Sequence, residues 1–180
     1  MQNSRRYCFA DIGDGDPCRC VDDCFKVTCS NAMLNIYCTP DCCGLDAVCS
    51  NAQRHNAALK LYDTCRVELG VYTTTFLEVG DIIGEYVGRL TAYDAIVEGQ
   101  PEQAIKQNSG YTMLLHTKST TGKFVYIEAL GCGSMTRLMS HSCEPNVHFQ
   151  EMQNRSTVRV MAVMIQSVKA GAQLCGIAHR

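Results

Sequence analysis

No apolar run in this 180-residue chain approaches the ~20 residues that a membrane-spanning helix requires, so no bilayer-embedded segment is expected. The first residues, Met-Gln-Asn-Ser-Arg-Arg-Tyr-Cys, are basic but have no apolar stretch behind them. A secretory leader is therefore not expected, and the chain reads as intracellular, where thiols stay reduced. Charge of one sign is also scarce: 16 Lys and Arg face 18 Asp and Glu, for a formal net charge of −2. With no basic stripe, a dedicated nucleic-acid binder is disfavoured, while a basic partner is weakly favoured. Repeats and low-complexity tracts are missing, and helix signal is modest. A hydrophobic share of 46% and a charged share of 19% are ordinary for a folded domain.

Cysteine is not scarce. Of thirteen cysteines, nine fall between Cys8 and Cys49, while Cys65, Cys132, Cys143 and Cys175 are scattered over the remainder. The composition shifts near Asn51, so two units are expected: residues 1–51, rich in Cys, Gly, Asp and Pro, and residues 52–180. The first has too little apolar periodicity to build a core and needs cross-links or metal. Its spacing is Cys18-x-Cys20-x3-Cys24-x4-Cys29-x8-Cys38-x4-Cys43-x5-Cys49. Zn²⁺ takes four thiolates in a tetrahedron, and seven thiolates serve two ions if one sulfur bridges. Metal binding would supply the folding energy this segment lacks. A disulfide framework in an oxidised, secreted domain is the alternative reading.

The second unit alternates short β-type runs with turns. Thr73–Val79 and Asp81–Leu90 read as strands around a Val-Gly-Asp turn, and Tyr111–Thr117 and Lys123–Ala129 as another pair. Thr157–Ile165 reads as a strong strand. Ala92–Glu98 and Glu102–Gln107 are the better helix candidates, with Pro101 near a helix start. The expected class is mostly β with short helices.

The most informative string is residues 137–146, Arg-Leu-Met-Ser-His-Ser-Cys-Glu-Pro-Asn. It resembles the Asn-His-Ser-Cys-x-Pro-Asn signature of SET-domain protein-lysine methyltransferases, with Ser140 in place of the first Asn. Other segments agree in order: Glu85-Tyr86-Val87-Gly88 is similar to the family's Glu-Tyr-x-Gly strand. Leu69-Gly70 sits where the family has Gly-x-Gly, with Glu68 at the first glycine. Tyr111 lies where the family has a mid-domain tyrosine, and Ile127-Glu128-Ala129 resembles Ile-Asp-Ala. Residues 29–51 resemble the end of the AWS module that precedes the SET domain in one branch of histone methyltransferases. That match favours Cys43 over Cys42 as a ligand and leaves Cys42 and Cys8 as extras; Ala32 stands where the family carries Arg.

The resemblance implies a β-clip-like SET architecture of small sheets with a knot-like C-terminal loop, preceded by a small zinc module. It also implies S-adenosylmethionine as methyl donor, held by Leu69, Gly70, Arg137, Ser140 and His141, with Tyr111 as the catalytic tyrosine. Two structural zinc ions would be held by Cys18, Cys20, Cys24, Cys29, Cys38, Cys43 and Cys49. Asn146 would fix the signature loop through its side chain. The implied function is transfer of a methyl group to a lysine amine, with lysine 36 of histone H3 as a candidate. The implied partner is a histone tail or nucleosome, the site the nucleus and chromatin, and the state a monomer. The closing Glu-Leu-Thr-Phe-Asp-Tyr of the family is altered: Gly176 falls at the first aromatic and Ala178 at the tyrosine. No downstream Cys-x-Cys accompanies Cys143. The domain thus reads as lacking its final strand and post-SET segment, and a catalytically impaired scaffold that binds histone or another protein is the alternative function.

Overall fold

A computed structural model describes residues 8–13, 16–53, 58–64, 69–93 and 110–176. Ten strands carry the fold, in two sheets, with one α-helical turn, α1 (Ser30–Met33), in the cysteine-rich segment. The larger sheet runs β1 (Leu59–Asp63), β2 (Leu69–Thr73), β10 (Gln173–Gly176), β8 (Val147–Asn154), β9 (Thr157–Met164), β3 (Ile82–Glu85); the two-residue β7 (Ser140–His141) also pairs with β10. The smaller sheet is β4 (Arg89–Tyr93), β6 (Phe124–Glu128), β5 (Thr112–Leu114). The mostly-β expectation holds. Among the described residues no helix is long and apolar enough to cross a membrane.

Each sheet has its own core. Tyr86, Met113, Leu115, Val125, Ile127 and Ala129 pack around the smaller sheet, joined by Phe9 from the N-terminal segment. Val71, Ile83, Val147, Ala162, Met164 and Leu174 form the core of the larger one. The alternating apolar residues of β9 place Val160 in the first core and Ala162 and Met164 in the second. On the opposite face Met161 and Val163 are buried too, so the segment Thr157–Ile165 is readable from sequence as an apolar strand covered on both sides.

Other expected strands differ. Thr73–Val79 is not a strand beyond Thr73: Thr73 Oγ1 donates to Thr75 O (2.9 Å) and accepts from Thr75 N, a side-chain turn that diverts the backbone. Only Leu77 bridges onward, to Val168. Asp81–Leu90 is two strands in different sheets. Tyr86 N still donates to Val160 O on β9, but Val87 N donates to the Ser134 hydroxyl, and the ladder ends there. Ala92 and Tyr93 belong to β4, not to a helix; the rest of Ala92–Glu98, and Glu102–Gln107, lie outside the described residues.

β1, β2, β7, β8 and β10 are not among the expected strands, and the longest of them is β8, which reads as polar and pairs with β9 along its whole length, Val147↔Met164 through Asn154↔Thr157. Its two faces have different work. On one, Gln150 donates to Asn35 Oδ1 and Asn154 Nδ2 to Tyr37 O (2.9 Å), both in the cysteine-rich segment. On the other, Phe149 packs against both cores and Glu151 accepts from His116 N and Thr117 N.

Candidate active site and metal centre

Where β10 passes beside β2, β7 and β8, a cavity of about 530 Å³ opens. That size is in the usual range for small-molecule sites. Its walls come from segments far apart in sequence: Leu69 from β2, Tyr111 before β5, Arg137 from the 3₁₀ turn Met135–Leu138, Ser140 and His141 from β7, Phe149 from β8 and Gly176 from β10.

Several contacts fix this convergence. Asn146 acts as a substitute strand partner for β10: its Nδ2 donates to Gln173 O (2.9 Å) and its Oδ1 accepts from Cys175 N (2.9 Å). Ser142 N donates to Gly176 O and Asn146 N to Cys175 O, so the loop after β7 is stitched to β10 by main chain as well. On the opposite wall, Ser134 Oγ and Thr136 Oγ1 both donate to Glu85 O, at 2.5 and 3.1 Å, seating the 3₁₀ turn on the end of β3. Arg137 Nη1 donates to Gly133 O (2.6 Å), which folds the guanidinium back along its own turn.

Gly70 does not line the cavity. A Cβ there would stand 2.7 Å from Tyr62 Cε1 and 2.9 Å from Thr64 Cγ2, so any side chain would displace the Tyr62 ring packed over it. Gly176 has a similar cause: a Cβ there would lie 2.8 Å from Phe149 Cε2. The ring of Phe149 thus fills space beside a strand residue without a side chain, and meets Tyr86 edge-on at 5.4 Å between centroids. Sequence reasoning missed Phe149. The signal was the glycine at position 176, which leaves room that a neighbouring strand must fill.

Tyr86 is buried, and its hydroxyl donates to the Tyr111 carbonyl (2.8 Å), which also accepts from Ala129 N (3.0 Å). Two donors on one carbonyl fix the backbone from which the Tyr111 ring reaches the cavity. Burial first, and the Glu128 carboxylate second, push the Tyr86 hydroxyl up to about 12, with Arg137 opposing. It therefore remains a neutral donor at physiological pH.

In the cysteine-rich segment, the sulfurs of Cys18, Cys24, Cys29 and Cys38 lie within 4.8 Å of one another, as do those of Cys24, Cys38, Cys43 and Cys49. All six residues are buried. Nearest separations are 3.6 Å (Cys18–Cys24), 3.8 Å (Cys24–Cys43) and 3.7 Å (Cys43–Cys49). A tetrahedral Zn²⁺ with Zn–S near 2.3 Å sets its sulfurs about 3.8 Å apart, whereas a disulfide needs about 2.05 Å. The donor set thus fits metal. Backbone N–H groups of Gly44 and Leu45 donate to Cys18 and Cys43, and Asn51 Nδ2 to Cys38, as ligand thiolates require. Burial and then the neighbouring sulfurs of Cys49 and Cys18 push the Cys24 thiol up, because several charges cannot share one dry volume. A divalent cation removes that conflict.

Cys20 is half-buried and outside both four-sulfur groups. Burial first, then Cys29 and Cys18, push its thiol up to about 11 against an opposing contribution from Cys24, so it stands beside the first group. Cys42 is fully buried but also outside both groups; its sulfur accepts from Thr39 N (3.5 Å) and Asn154 Nδ2 (3.4 Å).

Residues 68–176 match the family model described as the SET domain. The chain belongs to the SET domain family. The chain is 26% identical over 170 residues to the human "Histone-lysine N-methyltransferase, H3 lysine-36 specific", covering 93% of this chain and 6% of that protein. It is similar to mouse "Histone-lysine N-methyltransferase NSD3", 28% over 170 residues, covering 93% of this chain and 11% of the relative. It is also similar to "Histone-lysine N-methyltransferase ASHH2" of Arabidopsis thaliana, 28% over 150 residues, covering 81% and 8%. The chain thus spans a small part of the curated relatives' length. Five of the six residues expected at the SET pocket (Leu69, Tyr111, Arg137, Ser140 and His141) line one cavity, and Gly70 lies behind its wall. Glu68 and Ala178, where the sequence departs from the SET pattern, lie outside the described residues.

Proposed function

We propose that this chain is a protein-lysine methyltransferase module that acts on a histone tail, with lysine 36 of histone H3 as the first candidate, in chromatin and hence the nucleus. The observation that carries the reading is the convergence of Tyr111, Arg137, Ser140 and His141 with Leu69 around one cavity. Three of the most similar relatives are named as histone-lysine methyltransferases, one of them H3 lysine-36 specific, which supports the substrate class.

S-adenosylmethionine would supply an activated methyl on a sulfonium, so the amine only needs to arrive deprotonated and in line. Apolar Leu69, Leu138 and Met139 suit its aliphatic chain and ring faces, and the cavity volume suits its size. Arg137, Ser140 and His141 would hold its polar ends. Tyr111 would orient the amine lone pair, and Tyr86 is a positioning residue for Tyr111. The rings of Phe149 and Tyr86 exclude water from this end of the cavity, which favours the neutral amine. Two structural zinc ions would sit in the cysteine module, residues 1–51. Cys24 and Cys38 both belong to the two four-sulfur groups, and Cys24, the one of the pair beside Cys20, would be the bridging ligand once Cys20 completes the first site. The methyl-transfer unit would be residues 52–180.

The test is radiolabelled methyl transfer to nucleosomes and histone H3 peptides by the zinc-loaded chain, with calorimetry of the donor alongside. Incorporation that falls about 10²–10⁴-fold in Tyr111→Phe, at unchanged donor affinity, is expected. Donor binding without incorporation favours a histone-binding scaffold, and absence of both sinks the pocket assignment.

A further inference from the structure

A second, larger opening lies on the cysteine-rich segment, and it shares no residue with the pocket above. We propose that this cleft docks a lysine- or arginine-rich peptide segment through one apolar side chain. The proposal does not rest on the methyl-transfer reading.

The cleft, about 1050 Å³, is lined by Val21, Phe25 and Met33 beside Asp16, Asp22, Asp23 and one cation, Arg19. Val21 is 84% exposed, Phe25 52% and Met33 56%, and all three line this one cleft. Large apolar side chains gathered in one exposed place mark an interaction surface. Nor is this a loose loop that has failed to bury them. Thr28 N and Cys29 N both donate to Phe25 O, and Asp23 Oδ1 accepts from Cys24 N (2.7 Å) and Ser50 N (2.5 Å). The backbone is held with Phe25 and Val21 turned outward.

Charge selects the occupant. Residues 1–51 hold seven aspartates against Arg5, Arg6, Arg19 and Lys26, a formal net charge of −3, whereas residues 52–180 carry +1, and the cleft itself sets three aspartates against Arg19. Asp16 and Asp22 are exposed at the cleft, and neither has an ion-pair partner among the described residues. A purely apolar partner would cover these carboxylates and leave them uncompensated. A nucleic acid or an anionic membrane would be repelled. A basic segment with one apolar anchor satisfies both halves of the surface, and its like-signed neighbours in the module lengthen the electrostatic reach.

The probe is a short fluorescein-labelled Lys/Arg-Gly-Ser peptide with one central Leu, read by fluorescence polarisation against the zinc-loaded full chain. The comparison peptides carry Ser for that Leu, or Glu for the basic residues. The Leu peptide is expected to bind about tenfold tighter than the Ser peptide, from burial of one side chain. The Glu peptide should not bind. Asp16→Asn with Asp22→Asn, and separately Phe25→Ser, should each weaken the Leu peptide about fivefold or more. Glu78→Gln with Glu144→Gln, outside the cleft, should change nothing. Zinc content and donor affinity should match wild type in every variant. The proposal is overturned if Leu gives no advantage, if the cleft variants bind as wild type does, or if the Glu78/Glu144 variant weakens binding as much as the Asp pair. Failure to bind the methyl donor would leave this result standing and count against the pocket alone.

Discussion

Asn154 offers a sharp test of how the cysteine module and the SET sheets are joined. It is 3% exposed at the end of β8, and its Nδ2 donates to Tyr37 O at 2.9 Å and to Cys42 Sγ at 3.4 Å. Asn154→Ala removes both donors and admits no water in their place, so a carbonyl oxygen and a sulfur are left buried with less than they had. Leaving one buried acceptor unsatisfied costs about 1–3 kcal/mol, and the sulfur bond is the weaker of the two. The expected loss is about 2 kcal/mol. In a chain of this length that lowers the melting temperature by about 4–8 °C, and with a urea slope of about 2 kcal/mol/M it moves the midpoint down by about 1 M. The assay is urea unfolding of the zinc-loaded chain followed by far-ultraviolet circular dichroism. Lys26→Ala is the control: its ammonium reaches Gln150 Oε1 at 2.9 Å across the same seam, but in the open, and should cost under about 0.5 kcal/mol. A midpoint shift for Asn154→Ala no larger than the control's would refute the view that this amide holds the two parts together.

Three further outcomes follow from single contacts. Gly176→Ala drives a methyl into Phe149, 2.8 Å from its Cε2, and should cost about 1–3 kcal/mol in the same urea assay; Phe149→Ala in the Gly176→Ala background should recover part of that loss. Tyr86, held up to about 12 when folded against about 10 when unfolded, keeps its proton longer in the native state. Its contribution is complete below pH 10 and is lost as pH rises toward 12, at up to about 1.4 kcal/mol per pH unit, a slope that Tyr86→Phe should abolish in denaturant titrations at graded pH. Metal analysis should find two zinc ions per chain, still two in Cys42→Ser, and fewer in Cys24→Ser, whose sulfur belongs to both groups; an equal loss in the two variants would refute the sharing of Cys24.

The parts of this fold that sequence reveals are those whose partners are close by or chemically particular. Residues 137–146 are readable because Asn146 must present an amide, both as donor and acceptor, to β10. The cysteines are readable because a four-sulfur group is a local pattern of spacing that owes little to the rest of the chain. β9 is readable because both of its faces are buried over Val160–Met164, which makes that stretch an unbroken apolar run. β8 hides because Gln150 and Asn154 are spent on hydrogen bonds to the cysteine module, so a strand with a buried face reads as a polar loop. The split of Asp81–Leu90 is hidden for a related reason: Val87 N leaves the ladder for the Ser134 hydroxyl, a partner 47 residues away.

The same strand explains how the cysteine-rich segment is joined to the SET cavity. The side chains of β8 alternate, so Gln150, Met152 and Asn154 face the cysteine-rich segment while Phe149 and Glu151 face the smaller sheet and the cavity. Met152 packs with Tyr37 of the module, and Arg159 on β9 lies over the Tyr37 ring at 5.3 Å while its guanidinium pairs with Glu85 at 2.8 Å. Glu85 O in turn receives Ser134 and Thr136, which seat the turn bearing Arg137. Two routes of direct contact therefore lead from the module to the cavity, one through β8 to Phe149 and one through Arg159 and Glu85 to Arg137. A module too poor in apolar residues to fold alone can set the position of Phe149 and Arg137 only if something holds its own backbone, and the thiol cluster around Cys24 and Cys38 is the group placed to do so.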